Sequence, residues 1–205
     1  PKVSVKTIPG HDALVEDITP KQSPRFLPPE AYIHTYLTLF GGLSPIQTQM
    51  AAQAADHTQL FDTWNDYLAS LGLPDYRIDI PRATQTNALM LATFERLGIA
   101  LCDRAVEHDL EGTPSGDKLV FDFDPAENLD QAGFADRFDV LHRTFLGYPS
   151  KLAPSDRVAK FFTLYQDTLT RHSAKGAAKS RFTPSQAGWA NVCYGLIRHP
   201  EFHFY

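Results

Sequence analysis

The residues of this chain that could do chemistry are scattered carboxylates rather than a recognised catalytic motif. Glu95 interrupts an apolar run, and a carboxylate in such surroundings needs a charged partner or a raised pKa. On a helix that starts at Thr84, the 100-degree rule places Glu95 on the side of Leu91, Ile99 and Cys102. Three interpretations follow. Glu95 ties helices together through a buried ion pair or hydrogen bond, or it acts as a metal ligand or proton acceptor, which makes it the catalytic candidate. The third is that the helix phase is misplaced and Glu95 does not lie on the apolar face.

A second group of carboxylates lies in the segment DFDPAENLD. It places Asp122, Asp124, Glu127 and Asp130 within nine positions. Calcium prefers several oxygen ligands that converge from one loop, so these four residues are candidate metal ligands. The glycine-centred spacing of calcium loops is absent, however, and Pro125 favours the start of a helical turn. An acidic, solvated loop is therefore the competing interpretation.

The eight histidines form no zinc signature. His199 and His203 are four positions apart, but Pro200 between them interrupts the helical face that such a pair needs. His34 and His142 fall within predicted helices, where a partly buried imidazole with satisfied hydrogen bonds is the usual outcome. The chain also lacks a glycine-rich phosphate loop, a G-x-S-x-G elbow and an H-E-x-x-H pair. The sequence predicts no cofactor.

The two cysteines, Cys102 and Cys193, both lie on predicted apolar helix faces. Buried free thiols are common and inert. In an oxidising compartment the same two residues could instead bridge their helices. Two cysteines leave the redox compartment undecided, so both interpretations stay open.

The elements that must position these residues are predicted to be helices. Helical spacing of apolar residues, with caps and glycine or proline stops, predicts an all-α fold of about seven helices and almost no strand. The longest helix, Thr84–His108, is expected at the centre of a compact array. Leu119–Asp124 is predicted as a short strand or an extended segment. The predicted helices cover residues 29–40, 44–55, 56–71, 84–108, 134–145, 158–169 and 183–197.

The segment from Phe182 to Tyr205 is predicted as one sharply bounded helix with an aromatic tail. Thr183-Pro184-Ser185-Gln186 has the capping-box form, with proline at the first helical position. Trp189 and Phe202 are expected to seal the core, each worth roughly 3–5 kcal/mol against alanine if fully enclosed. Glu201 follows a helix C-terminus, where the dipole disfavours a carboxylate, and is expected to bond an arginine or backbone N–H groups. With Cys102 and Cys193, the two aromatic residues are the predicted structural positions.

Proline content divides the chain into two parts. Residues 1–28 hold five prolines and little periodicity, which predicts an extended arm. Residues 29–205 are predicted to form a single helical domain, with 29–116 and 128–205 as alternative sub-halves. Segments 32–45 and 138–154 both run from an aromatic-rich helix through glycine to a proline-led helix start. Either an internal duplication or chance similarity would explain why the two segments are alike.

The overall composition is that of a globular protein. Of the 205 residues, 43% are hydrophobic and 12% aromatic, which excludes a disordered chain. The net charge of -5 and the lack of a basic stripe argue against nucleic-acid binding through a general electrostatic field. No leader peptide or membrane-spanning run is visible, and the most apolar stretch, 88–102, is interrupted by charges.

The last third of the chain resembles a known module. RTFLGYPSKLAPSDRVAKFFTLY and AGWANVCYGLIRHPEFHFY resemble the C-terminal helical modules of planctomycete-type cytochrome-associated proteins of the bacterial envelope. The resemblance implies an envelope or periplasmic location, near electron-transfer proteins. Neither cysteine begins a C-x-x-C-H site, so covalent haem is not expected. The matching residues are Leu146, Gly147, Pro149, Trp189, Cys193, Leu196, Pro200, Glu201 and Phe202.

Three functions are consistent with these observations. The leading hypothesis is a non-enzymatic accessory or binding subunit of a bacterial envelope assembly, which would present residues 1–28 to a larger partner. The first alternative is an enzyme or small-ligand-binding protein with a pocket around Glu95. The second is a calcium-binding adhesion module built on residues 122–130. A cytoplasmic location is the alternative to the envelope, and the oligomeric state is not indicated.

Overall fold

The computed structural model describes residues 29–43, 70–74, 88–110, 114, 116–126, 129–174 and 181–203. Of this part of the chain 72% is helical and none is strand, which confirms the all-α prediction there. The predicted arm 1–28 and helix 44–55 lie outside the described residues, as does the predicted helix 56–71 except for its last two positions. The elements are α1 (Pro29–Phe40), α2 (Ala88–Leu110), α3 (Gln131–Leu146), a 3-10 turn (Ser150–Leu152), α4 (Arg157–Ala174), α5 (Pro184–Ile197) and α6 (Pro200–His203).

Several helix ends follow directly from their capping residues. Thr183 accepts the amide of Gln186 while the Gln186 side chain accepts the amide of Thr183, so the predicted capping box of α5 is confirmed. Asp130 caps α3 by accepting the amide of Gly133 at 2.8 Å. Gly147 then ends α3 in the left-handed conformation, with a φ of 79°.

Helix α5 is the element around which the described helices pack. It contacts α2, α3, α4 and α6. The prediction that the helix over 84–108 occupies the centre is not confirmed. Apolar and small residues lie on most sides of α5 itself, so neighbouring helices can pack against it from several directions. At Gly188 a Cβ atom would lie 2.6 Å from the Tyr165 ring, so only glycine permits α4 to pack this closely.

Aromatic rings fill the interface between α3, α4 and α5. Trp189 is fully buried, and its ring stacks on Phe134 with centroids 5.2 Å apart and planes 10° from parallel. Phe123 and Tyr165 lie against the same indole, at 4.7 and 5.2 Å. Phe202 of α6 is buried as well and packs against Tyr36 of α1. Trp189 and Phe202 therefore both belong to one ring-packed core.

A disulfide joins α2 to α5. Cys102 and Cys193, separated by 91 positions in sequence, are bridged and fully buried, with their Cα atoms 5.8 Å apart. The sequence left free thiols and a bridge as alternatives, and the structure has the bridge. Because the loop that it closes is long, the chain-entropy model gives a stabilisation of about 4–5 kcal/mol.

The segment Leu119–Asp124 is irregular, with bends at residues 119, 120 and 123, and pairs with no strand among the described residues. The amide of Phe123 donates to the carbonyl of Phe121 at 2.8 Å, so the segment turns instead of running straight. The lack of strand pairing is caused by Asp109, at the end of α2, whose buried carboxylate accepts three successive amides. The amide of Leu119 bonds Oδ1 at 3.0 Å, while those of Val120 and Phe121 bond Oδ2 at 2.7 and 2.8 Å. These donors are therefore unavailable for a sheet ladder.

Among the described helices, none is both long enough and apolar enough to cross a membrane.

Candidate functional site

Glu95 lies on a half-exposed face of α2, so its predicted place on the buried face is wrong. Its side chain is 44% exposed, and its neighbours Leu91 and Ile99 are 49% and 44% exposed. Helix α2 carries apolar residues on nearly every side. The sequence analysis assigned its buried face from the wrong subset of these residues. Of the residues predicted to share its face, Cys102 does pack inward. The other buried apolar residues of α2 are Met90, Phe94, Leu97, Leu101, Ala105 and Val106.

Glu95 has two partners on the C-terminal part of α5 and the residue that follows it. The Tyr194 hydroxyl donates a short hydrogen bond to Oε1 of Glu95. Nε of Arg198 lies 3.4 Å from the same oxygen, and the Arg198 guanidinium carbon lies 5.5 Å from the centre of the Tyr194 ring. Partial burial, together with the bond to Glu95, raises the pKa of Tyr194 to about 12, so the phenol remains a donor at neutral pH. These three residues are called the Glu95 network below.

The Glu95 network opens onto a cleft of about 380 Å³. One wall belongs to α2 and the other to the turn that joins α5 to α6. The cleft is lined by Leu91, Phe94, Glu95, Ile197, Arg198, Pro200 and His203. The cleft therefore contains two ionisable groups besides Glu95, namely Arg198 and His203.

The two walls are fastened close to the cleft. At Gly98 a Cβ atom would lie 2.9 Å from Cγ2 of Ile197, so α2 can approach the end of α5 only because residue 98 is glycine. One turn farther along α2, the Cys102–Cys193 disulfide fixes the same two helices covalently. The cleft is therefore held at a position where backbone packing and a covalent bond limit relative movement.

Aromatic groups form the inner side of the cleft. The Phe94 ring stacks on Tyr32 of α1 with centroids 3.9 Å apart, and the Tyr32 hydroxyl shares a short hydrogen bond with Nδ1 of His203. Burial lowers the pKa of His203 below its usual range, although a hydrogen bond with the Ile197 backbone opposes this change. His203 is accordingly neutral near pH 7 and adds no charge to the cleft.

A second network of the same residue types anchors α6. Arg157 donates Nη2 to Oε1 of Glu201 at 2.6 Å and Nη1 to Oε2 at 3.0 Å, and the Tyr148 hydroxyl donates a short hydrogen bond to Oε2. The prediction that Glu201 bonds an arginine is confirmed. The Arg157 hydrogen bonds lower the pKa of Glu201 to about 2, even though partial desolvation raises it. These residues are called the Glu201 clamp.

His142 completes the Glu201 clamp. Its Nδ1–H donates to the Tyr148 carbonyl at 2.7 Å, so its Nε2 is the acceptor that faces Nη1 of Arg157 at 3.2 Å. Both ring nitrogens of His142 are bonded, as predicted, but the side chain is fully buried where partial burial was expected. His34 is exposed, so the prediction of partial burial is wrong there.

The candidate calcium ligands do not gather in the described structure. The Asp130 side chain is the N-cap of α3, and the Asp124 side chain is 99% exposed, with Nζ of Lys118 at 3.9 Å from its Oδ1. Glu127 lies outside the described residues, and Asp122 lies in the irregular segment 119–124. Within the part of the chain that is described, no group of three or more ligating side chains is placed to hold a metal ion. The calcium hypothesis stays a prediction from the sequence.

Sequence reasoning missed the partners of Glu95 and the role of Asp109. Tyr194 and Arg198 are four positions apart, so a helical projection places them on one face. That spacing was a usable signal, but nothing in it points to α2. Asp109 had a weaker signal, as an acidic residue at a predicted helix end, ten positions before the apolar run Leu119–Phe121.

Comparison of the chain with protein families, with curated proteins and with solved structures finds no match. The resemblance of the last third to cytochrome-associated envelope modules consequently stays a prediction.

Proposed function

We propose that this protein binds a small organic molecule in the cleft between α2 and the α5–α6 turn. The observation that carries the proposal is the opening of the Glu95 network onto a cavity of about 380 Å³. Pockets for small ligands usually measure about 300–1,000 Å³, so the cleft suits a compact molecule rather than a long chain.

The lining of the cleft divides into a part for packing and a part for orientation. The exposed residues Leu91 and Pro200 supply apolar surface, and the buried ring of Phe94 lies behind them. Glu95 and Arg198 supply charges of opposite sign at one side of that surface. Ligand sites commonly combine predominantly apolar walls with a few convergent polar groups that fix the orientation of the bound molecule.

A contribution to stability does not explain the Glu95 network well, because the expected stabilisation is small. Glu95 and Arg198 are 44% and 61% exposed, and exposed ion pairs contribute only about 0.2–1 kcal/mol. Leu91 beside them is half-exposed although it is apolar. A bound molecule that covers Leu91 and bonds Glu95 would explain both the exposed apolar side chain and the exposed carboxylate beside it.

The test is to fill the cleft and measure loss of binding. Leu91→Trp places a larger ring at the cleft, whereas Leu89→Trp makes the same change at a neighbouring position, 60% exposed, that does not line it. Ligand-observed NMR with a library of uncharged aromatic fragments should yield molecules that bind the wild-type protein and Leu89→Trp. Their affinity for Leu91→Trp should fall about tenfold or more.

Two results would overturn the proposal. One is the absence of any fragment that binds the wild-type protein. The other is a set of fragments whose affinities are equal for Leu91→Trp and Leu89→Trp. Both substitutions are at exposed positions, where changes in stability usually stay within about 0.5 kcal/mol, so thermal melting checks that the two variants are folded.

The accessory-subunit hypothesis stays a prediction from the sequence. Its proposed contact segment, residues 1–28, lies outside the described structure, and the described residues carry no feature that selects a protein partner. The envelope and the cytoplasm also remain alternative locations.

A further inference from the structure

We infer that the cleft takes an amphipathic amine in its ammonium form, with the charged group on Glu95 and the apolar body against Leu91 and Pro200. This inference rests on the proposed function, because it names the class of ligand that the same cleft would bind.

The carboxylate of Glu95 is bonded on one side only. The hydroxyl of Tyr194 donates to Oε1, and the nearest approach of Arg198 is to that same oxygen. Within the described part of the chain, Oε2 takes no hydrogen bond. An ionised carboxylate has about four acceptor sites, so Glu95 retains capacity for an N–H donor from a ligand.

Arg198 is a poor competitor for that carboxylate. It approaches through Nε alone, at 3.4 Å, and its side chain is 61% exposed. The Arg157–Glu201 pair is a stronger contact, because the guanidinium donates two hydrogen bonds of 2.6 and 3.0 Å and the Arg157 side chain is only 7% exposed. A ligand ammonium can therefore bond Glu95 beside Arg198 or replace it as the rim arginine turns toward solvent.

The remaining groups of the cleft do not oppose a cation. His203 is neutral near pH 7 because burial lowers its pKa. The cleft borders the C-terminus of α5, a helix of 14 residues, where the helix dipole favours positive charge. The chain as a whole carries a net charge of -5, which attracts cations over longer distances.

An organic anion meets less favourable surroundings. Its only cationic partner among the lining residues at neutral pH is Arg198, which already lies against Glu95. The anion would sit close to the Glu95 carboxylate, and like charges at that distance repel each other. Arg198 would also have to leave Glu95 without its counter-ion.

The test uses three indole compounds that differ only in the end group: tryptamine, tryptophol and indole-3-propionate. Isothermal titration at pH 7 should give an affinity for tryptamine about tenfold above that for uncharged tryptophol, with indole-3-propionate the weakest. A charged hydrogen bond gained by the amine accounts for a difference of this size. In Glu95→Gln, the affinity for tryptamine should fall to that for tryptophol.

Two further variants serve as controls for this result. Asp103→Asn removes a carboxylate from the same helix that pairs with Arg181 and does not line the cleft, so the preference for tryptamine should persist. Arg198→Met should raise the affinity for tryptamine severalfold, because the competing cation is gone. Thermal melting of each variant verifies that it is folded.

The outcomes separate the two proposals. If none of the three compounds binds the wild-type protein, the ligand-binding function fails and the inference fails with it. If all three bind equally, or if indole-3-propionate binds most tightly, the cleft is a ligand site but not an amine site. Retention of the full tryptamine preference in Glu95→Gln likewise overturns the assignment of Glu95.

Discussion

The Glu95 network and the Glu201 clamp use the same three residue types in opposite ways. Each joins a glutamate to an arginine and to a tyrosine hydroxyl. In the clamp the Arg157 side chain is 7% exposed and makes two hydrogen bonds to the carboxylate. In the other network Arg198 is 61% exposed and approaches Glu95 at 3.4 Å. The two carboxylates are about equally exposed, at 41% and 44%, so the difference lies in the arginine. We call the clamp closed because its arginine is buried and bidentate, and the Glu95 network open because its arginine is exposed beside a cavity.

The difference shows that residue type alone does not identify a binding site in this fold. Charged hydrogen bonds become strong where water is excluded and both partners are fixed, and they remain weak and exchangeable where water can replace either partner. The clamp holds α6, which supplies Pro200 and His203 to the cleft. The closed network therefore supports the wall of the open one.

The largest effect is expected from breaking the disulfide that fastens the cleft walls. Cys102→Ala/Cys193→Ala should lower the free energy of unfolding by about 3–5 kcal/mol, since the 91-position loop is no longer closed in the unfolded chain. Urea unfolding followed by circular dichroism measures this difference. The variant should also bind cleft ligands more weakly, because α2 and α5 lose their covalent link.

A reductant provides the control for that experiment. Adding it to the wild-type protein during unfolding should shift the urea midpoint to that of the double variant, while the double variant should not respond. A double variant as stable as the oxidised wild-type protein would show that the bridge contributes nothing to the walls of the cleft.

Replacing each arginine by methionine tests the comparison directly. Arg157→Met should lower the free energy of unfolding by about 2–3 kcal/mol, because Glu201, Tyr148 and His142 all lose a hydrogen-bond partner. Arg198→Met should cost less than about 1 kcal/mol, as expected for an exposed pair. Chemical denaturation of the two variants side by side measures the contrast. Equal losses of stability would erase the distinction between a closed and an open network.

The sequence predicted the parts of the fold that depend on local signals. The capping box of Thr183 and Gln186 and the glycine stop at Gly147 act within a few residues, and both helix ends were placed correctly. The partner type of Glu201 was also correct, since a carboxylate after a helix C-terminus requires a donor.

The sequence could not predict features that depend on tertiary packing. Helix α2 carries apolar residues nearly all round, so its buried face is decided by α1 and α5, and Glu95 was placed on the wrong side. The cleft arises because Gly98 brings Ile197 close to α2, and no spacing rule relates two residues that far apart in sequence. For the same reason, Tyr194 and Arg198 could be placed on one face but not against Glu95.

A smaller effect, on the pH dependence of stability, sharpens the comparison further. The pKa of Glu201 is lowered to about 2 in the folded protein, against a value of 4.5 without the clamp. The folded state therefore binds fewer protons than the unfolded state between these values, and the stability contributed by Glu201 is complete above about pH 4.5 and is lost as the pH falls toward 2. Because the Glu201 side chain is 41% exposed and screened by water, we expect a contribution of only about 1 kcal/mol.

The measurement is the difference in unfolding free energy between the wild-type protein and Glu201→Gln across that pH range. Asp139 also titrates there: desolvation raises its pKa, but hydrogen bonds from Ser150 and Arg143 outweigh it and bring the pKa to about 2. Asp139 is present in both proteins, so its contribution cancels in the difference. The advantage of the wild-type protein should shrink from pH 5 to pH 2.5. A difference that stays constant over this interval would mean that the Arg157–Glu201 contact does not hold the carboxylate ionised, and the clamp would then be no tighter than the network at the cleft.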